Sequence, residues 1–479
     1  MNFPHHPIVS FGQINFGKVE QQPGEYNLHH RDGAMPLKTT TLAIEPVLVQ
    51  QHELSIPLET TAATSGDTPS TAKKEVLSAT ILTYGATLTH LTYPDRLGQF
   101  QDVVLGFDHW RDYLVQAKSG ALNPYFGGTI GRTASRIAHA SFKLESKYGA
   151  NGSVEAHHPL HTLQVSNGVD CHHGGPMGFD KQHWTTVATN LDDPSVTLEL
   201  ISPHGQNGYP GRLATRVKYM LTGAGELITE YWAQLEERQH DAADGAGTDL
   251  HSTIVSLTNH AYWNLDGVLN PPEGQVQDQG TSHPIPTGRI LDLKQKGVES
   301  SISGYEELVD FTTSSSMGKR LGPGLDQIPG GYGYDHVYAL DPPCSSSSTP
   351  KHAPVSEIGI QGYLPSVAHV ATLFSPRTGI RLDLTTSEPA LVVYAGGYLE
   401  KAKLPNTKSR EIRMDHDHQP NKHVVVKAEF DKFAGISLEP IRYPDAIHHR
   451  EWSKMVTLHH DQEYRQKSIY KFGVVPQTL

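Results

Sequence analysis

Between positions 215 and 221 the chain reads Thr215-Arg216-Val217-Lys218-Tyr219-Met220-Leu221. In an extended segment Val217, Tyr219 and Leu221 share one side while Arg216 and Lys218 take the other, which predicts a strand buried on one face. A turn over 222–226, bearing Gly223 and Gly225, precedes a second alternating run from Leu227 to Leu235, so the two predict a hairpin. Ile380-Arg381-Leu382-Asp383-Leu384 and Ala390-Leu391-Val392-Val393-Tyr394 repeat the strand pattern later. Helical signals are short: Asp108 caps a stretch through Leu114, and the segment after Pro444-Asp445 suits another turn or two. Many strands, glycine-bearing turns and little helix predict an all-β chain built as a large antiparallel sandwich.

The polar stretches divide the chain further. Residues 60–72, 241–249, 342–354 and 406–422 are rich in Ser, Thr, Pro, Asp and His, too poor in apolar surface to offset their ordering entropy, and predict loops inserted between strands. Residues 1–35 read as an N-terminal extension, in which Gly12-Gln13-Ile14-Asn15-Phe16 suits an edge strand or a flexible tail, and 36–479 as a single domain. The 39 basic and 51 acidic residues give a net charge of −12, which argues against a nucleic acid partner. Two cysteines, Cys171 and Cys344, fit free thiols in a reducing compartment. With no signal-like start and no apolar stretch of the roughly 18 residues a membrane span needs, the expectation is a cytoplasmic protein, monomeric or a weak homodimer, with no membrane partner.

Histidine is abundant, at 29 residues, but His157-His158, His161, the 415–418 run and His459-His460 lie among loop-type residues with no apolar shell to orient an imidazole, so no metal site is expected there. Two other titratable residues stand in apolar frames: His260 in Thr258-Asn259-His260-Ala261-Tyr262-Trp263-Asn264-Leu265, and Glu439 in Gly435-Ile436-Ser437-Leu438-Glu439-Pro440. Desolvation in such frames can shift a pKa, the usual way to prepare a general acid or base that works near neutral pH. A lone buried histidine is ordinarily a hydrogen-bonded core residue, so further segments have to decide.

Those segments are Asn123-Pro124-Tyr125-Phe126-Gly127-Gly128-Thr129-Ile130-Gly131-Arg132-Thr133-Ala134-Ser135-Arg136-Ile137, the turn at His172-His173-Gly174-Gly175, and Tyr334-Asp335-His336. With the two frames above they follow one another over about 300 positions, and in content and order the set resembles the aldose 1-epimerase (galactose mutarotase) family. Supporting segments extend the likeness over roughly residues 76 to 476.

The resemblance implies a galactose mutarotase-like β-supersandwich and interconversion of the α and β anomers of free aldohexoses such as galactose and glucose, with no cofactor. It implies that Glu439 takes the C1 hydroxyl proton and His260 protonates the ring oxygen, which asks for an ionised Glu439 and a protonated His260 at the start. Arg136, His173 and Asp335 match sugar-binding positions, with His172 an ambiguous neighbour; Tyr262 and Trp263 flank the acid. Ser135 stands where the family commonly has Asn, so its contact with the sugar is in question. Two other readings stay open: a non-catalytic carbohydrate-binding or regulatory protein of the same fold, and a hexose-6-phosphate 1-epimerase, which needs extra basic residues at the pocket mouth.

Overall fold

The computed structural model describes residues 38–44, 47–58, 76–118, 124–144, 159–236, 252–268, 290–293, 333–340, 359–362, 366–399 and 432–476, with positions 311, 314–317, 364 and 430. The N-terminal extension and the four polar stretches expected as inserted loops lie outside the described residues. Among the described residues the largest unit is an antiparallel sheet of nine strands, which includes the expected hairpin as Leu213–Thr222 against Glu226–Leu235. Glu226–Leu235 continues into Tyr464–Val474, which pairs in turn with Ile380–Thr386. The C-terminal strand therefore lies in the middle of the sheet.

A five-stranded sheet, from Lys38–Ile44 to Phe100–Asp102, and a four-stranded sheet make up the opposing layer. One apolar cluster joins all three sheets: Val217, Tyr219 and Leu221 from the large sheet, Leu77 and Ile81 from the five-stranded sheet, and Leu391, Val393 and Leu438 from the four-stranded sheet. Alternation accounts for the assignment, since Val217, Tyr219 and Leu221 are at most 1% exposed while Arg216 reaches solvent. The expected helix forms at Trp110–Lys118, and the segment after Pro444 makes 3-10 turns at Ala446–His448 and Ser453–Met455. Among the described residues no helix is long and apolar enough to cross a membrane.

The four-stranded sheet positions the chemistry. Its order is Tyr262–Trp263, Ile436–Ile441, Ala390–Tyr394, Asp335–Ala339. Leu438, Val393 and Leu391 fill the core from one face, so Ser437, Glu439, Val392, Tyr394 and Asp335, one position out of phase or directly opposite, share the other.

Candidate active site

Strand register brings His260 and Glu439 together. Tyr262 pairs with Ser437 and Trp263 with Ile436; continuing that antiparallel ladder by two residues sets His260 opposite Glu439. His260 Nε2 lies 3.4 Å from Glu439 Oε1, and the residues are 4% and 3% exposed. Just before His260 the chain pairs with a different partner, Thr258–Asn259 against Thr129–Ile130. The His260 backbone is held on both sides by the glycine turn of the arginine-rich motif: its N–H donates to Gly128 O at 2.9 Å and its carbonyl accepts from Gly127 N–H at 3.0 Å. Asn259 braces the same turn, its Nδ2 donating to Gly127 O at 2.7 Å and to the Tyr219 hydroxyl at 3.1 Å.

Arg136 and His173 come from a second small ladder, Arg136–Ile137 against Cys171–His172, with Arg136 opposite His172. The Ser135 N–H donates to His173 Nδ1 at 3.2 Å, and the His173 N–H donates back to the Ser135 carbonyl at 2.9 Å. With Nδ1 accepting, the neutral His173 ring carries its proton on Nε2 and presents a donor. Gly174 follows with φ of 79°, and a Cβ there would collide with the Gly131 carbonyl. Glycine is therefore demanded at this point of the turn.

His173, buried at 7% exposure, His260 and Glu439 each present an atom within 4.8 Å of the others. Asp335, on the same sheet face as Glu439, and Arg136 are both exposed. Desolvation raises the Asp335 carboxyl, with the Arg136 charge pulling back, and desolvation holds His173 well below the usual imidazole range, the neighbouring His172, His260, Lys181 and Arg136 charges adding to it. His173, His260 and Glu439 thus cluster, with Asp335 on the Glu439 face of the sheet and Arg136 on the ladder that carries His172.

Ser135 converges with them through its backbone, at φ of 61°. The left-handed region is one that Asn tolerates better than most residues, which is a conformational reason for Asn at this position. The amide that orients His173 is present whichever side chain stands there. Trp263 belongs to the core, its ring 5.0 Å from that of Tyr470, whereas Tyr262 lies 5.0 Å from His260. Tyr125 is a wall that sequence reasoning left unassigned, although it stands inside the quoted motif. Its ring is 4.7 Å from His173 and 5.5 Å from His260, with Lys181 over it at 4.9 Å.

Arg132, four residues before Arg136, does something else. It is 1% exposed and donates to Ser202 Oγ at 2.9 Å and to the carbonyls of Ser202, Pro203 and Pro210 at 2.8 to 2.9 Å. It tethers the motif to the body of the fold.

Burial sets the proton inventory. Desolvation pushes the Glu439 carboxyl from 4.5 up to about 8, with nearby Ser437 pulling back and Asp335 adding to the rise. Desolvation also pulls His260 from 6.5 down to about 3, against its own backbone and with the His172 charge in support. The ionised Glu439 and protonated His260 expected from sequence are therefore not the resting state that burial favours. The 3.4 Å contact reads as a neutral pair holding one proton, on the carboxyl. The same proton count describes both forms, and they differ only in which partner carries it.

The three clustered donors also meet the distance requirement for a metal ion. Their chemistry does not fit one: with His173 Nδ1 accepting from Ser135, Nε2 keeps its proton and has no lone pair to give. Of the histidine clusters set aside earlier, 157–158 and 415–418 lie outside the described residues, while the His161 ring packs on Phe142 at 5.2 Å. Cys171 is buried and free, and Cys344 lies outside the described residues.

Comparison with known proteins bears on the chain as a whole. A family model described as aldose 1-epimerase matches residues 70–471. The chain is 30% identical to galactose mutarotase of Homo sapiens over 84% of its own length and 93% of that protein, and 26% identical to a probable aldose 1-epimerase of Arthroderma benhamiae over 92% of each. Among solved structures it resembles galactose 1-epimerase from Lactobacillus acidophilus, with a TM-score of 0.58 at 20% identity over 92% of this chain and 100% of that one. An aldose epimerase homologue from C. elegans gives the same TM-score at 23% identity, over 84% and 96%. These two likenesses speak to the fold.

Proposed function

The chain belongs to the aldose 1-epimerase family, and from that premise we propose how it interconverts the α and β anomers of free aldohexoses such as galactose and glucose. With the pair's proton passed across the 3.4 Å contact from Glu439 to His260, Glu439 accepts the proton of the C1 hydroxyl and His260 delivers its own to the ring oxygen, so that the C1 to O5 bond breaks and an open aldehyde forms. Rotation about C1 to C2 presents the other carbonyl face, and the two residues reverse roles on closure. The observation that carries this reading is the 3.4 Å approach of His260 Nε2 to Glu439 Oε1. Both oxygens to be served are bonded to one carbon, so acid and base have to lie close together, and a sugar oxygen entering between them loosens a contact already longer than a typical hydrogen bond.

Ring opening consumes the charged form of the pair and leaves the neutral one. Burial, which raises Glu439 and lowers His260, draws both transfers in that direction. Closure returns the proton to His260 as the hemiacetal re-forms. Asp335 accepts from sugar hydroxyls, Arg136 and the His173 Nε2–H donate to them, and Ser135 supports His173. Each positioned proton transfer is worth ~10² to 10⁴ in rate.

A binding module has no need of a matched acid and base. Nor is a phosphate favoured, because Lys181 beside Tyr125 is already paired with Asp180 at 2.7 Å. We read the protein as working in the cytoplasm, as a monomer or weak homodimer, with residues 36–479 as one domain; low cysteine usage supports the compartment. The test is polarimetry on freshly dissolved α-D-galactose. Equilibration faster than the spontaneous rate is expected, with glucose accepted and glucose 6-phosphate disfavoured; the spontaneous rate in the presence of protein would remove the catalytic reading.

A further inference from the structure

Asp445 has no part in the proposed proton transfers, yet among the described residues it hydrogen-bonds to the backbone of the sugar clamp and to one histidine. Its N–H donates to the Arg136 carbonyl at 3.2 Å, and its Oδ1 accepts from the Ala138 N–H at 3.0 Å. The carbonyl of one residue and the N–H two residues later point to the same side of an extended strand, and they are the two groups that a neighbouring strand would engage. One aspartate therefore closes the edge of Arg136–Ile137 that the Cys171–His172 strand leaves open. His448 Nδ1 donates to the same Oδ1 at 2.6 Å and holds the carboxylate in place. Asp445 adopts φ of 54°, a left-handed conformation that Asp tolerates, and so turns both its N–H and its side chain toward one strand.

Asp445 also lies six residues beyond Glu439, on the chain leaving that strand. Two parts of the site that come from distant sequence are thereby tied: Arg136 on one ladder and Glu439 on another. We propose that Asp445, held by His448, is a positioning residue that fixes the clamp arginine relative to the catalytic glutamate. This rests on the reading of Arg136 as a sugar contact.

The experiment compares KM and kcat for galactose in Asp445→Gly, Asp445→Asn, Arg136→Ala and the Asp445→Gly/Arg136→Ala double variant. Glycine removes the carboxylate without imposing strain at positive φ, and asparagine keeps an oxygen that can accept from Ala138. Asp445→Gly is expected to raise KM several-fold with kcat nearly unchanged, Asp445→Asn to restore most of the loss, and the double variant to match Arg136→Ala alone. A drop in kcat with KM unmoved, or the same several-fold rise when Arg136 is already absent, overturns the proposal, because either shows Asp445 acting other than through the arginine. If Arg136→Ala leaves KM unchanged, the clamp reading fails and takes this inference with it; if Arg136→Ala raises KM and the two effects multiply, only the inference fails. Should Asp445→Gly not fold, His448→Ala replaces it: a KM rise that vanishes in the Arg136→Ala background is expected, and an unchanged KM overturns the proposal.

Discussion

Two carboxylates are buried, Glu439 on the Ile436–Ile441 strand itself and Glu388 against Arg442, the residue just after that strand. Burial raises both, Glu439 to about 8 and Glu388 to about 7, and for Glu388 the Arg442 charge pulls back. Glu388 faces a guanidinium, which keeps its proton in proteins. That guanidinium is further bound by the carbonyls of Met455, Ile360 and Arg465 at 2.7 to 3.2 Å. Glu439 faces an imidazole, which gives its proton up, and His260 Nδ1 has no partner among the described residues. Similar desolvation thus yields a fixed structural tie in one place and a transferable proton in the other. What separates them is the acidity of the partner and how fully its other donors are occupied.

The largest expected effect breaks the mobile pair. Glu439→Gln and His260→Asn should each lower the polarimetric rate by ~10² to 10⁴ while thermal melting still shows a cooperative fold; a rate within a few-fold of the parent would show that the pair is not the acid and base. Arg442→Met tests the fixed pair. Leaving Glu388 buried without its partner should cost ~3 to 5 kcal/mol in denaturant unfolding, with the KM of the folded enzyme unmoved. An unfolding midpoint equal to that of the parent would mean the tie contributes nothing net.

The third prediction concerns pH. A carboxyl raised from 4.5 to about 8 in the folded site contributes stability that is fully present below 4.5 and is lost as pH rises through about 8. Glutamine mimics the protonated form and escapes this loss, so Glu439→Gln should melt progressively higher relative to the parent as pH rises from 4.5 to about 8, and level off above that. In the parent enzyme kcat/KM should fall with single-proton slope above about 8, where the pair loses its one proton. A flat profile to pH 10 (~2 units past that point) would contradict the assigned inventory. The smallest effect expected is that of Ser135→Asn, which should alter stability by less than ~1 kcal/mol and leave KM near the parent value, because the backbone amide rather than the side chain orients His173. A large KM change would instead assign the side chain a direct sugar contact.

Part of the site was legible in the sequence. His260 and Glu439 stood in apolar frames that announce desolvation, and the resemblance to a known family implied Arg136, His173 and Asp335. Tyr125 and Asp445 were not legible. The tyrosine acts through where its ring falls between His173, His260 and Lys181, and the aspartate looked like an ordinary turn residue because its partners, Arg136 and Ala138, lie about 300 positions away. The balance between the charged and neutral forms of the pair was not legible either, because mutual attraction can be inferred from residue types whereas the depth of desolvation cannot.

Local pattern by itself marked the strands at 215–221, 227–235, 380–384 and 390–394, the hairpin of the first two and the start of the short helix, since alternation of side chains is a property of neighbouring residues. Only the tertiary structure decided that Arg132 ties the fold while Arg136 is exposed, and that register sets His260 across from Glu439. Burial and proton affinity depend on what distant segments bring to one place, and no stretch of sequence carries that on its own.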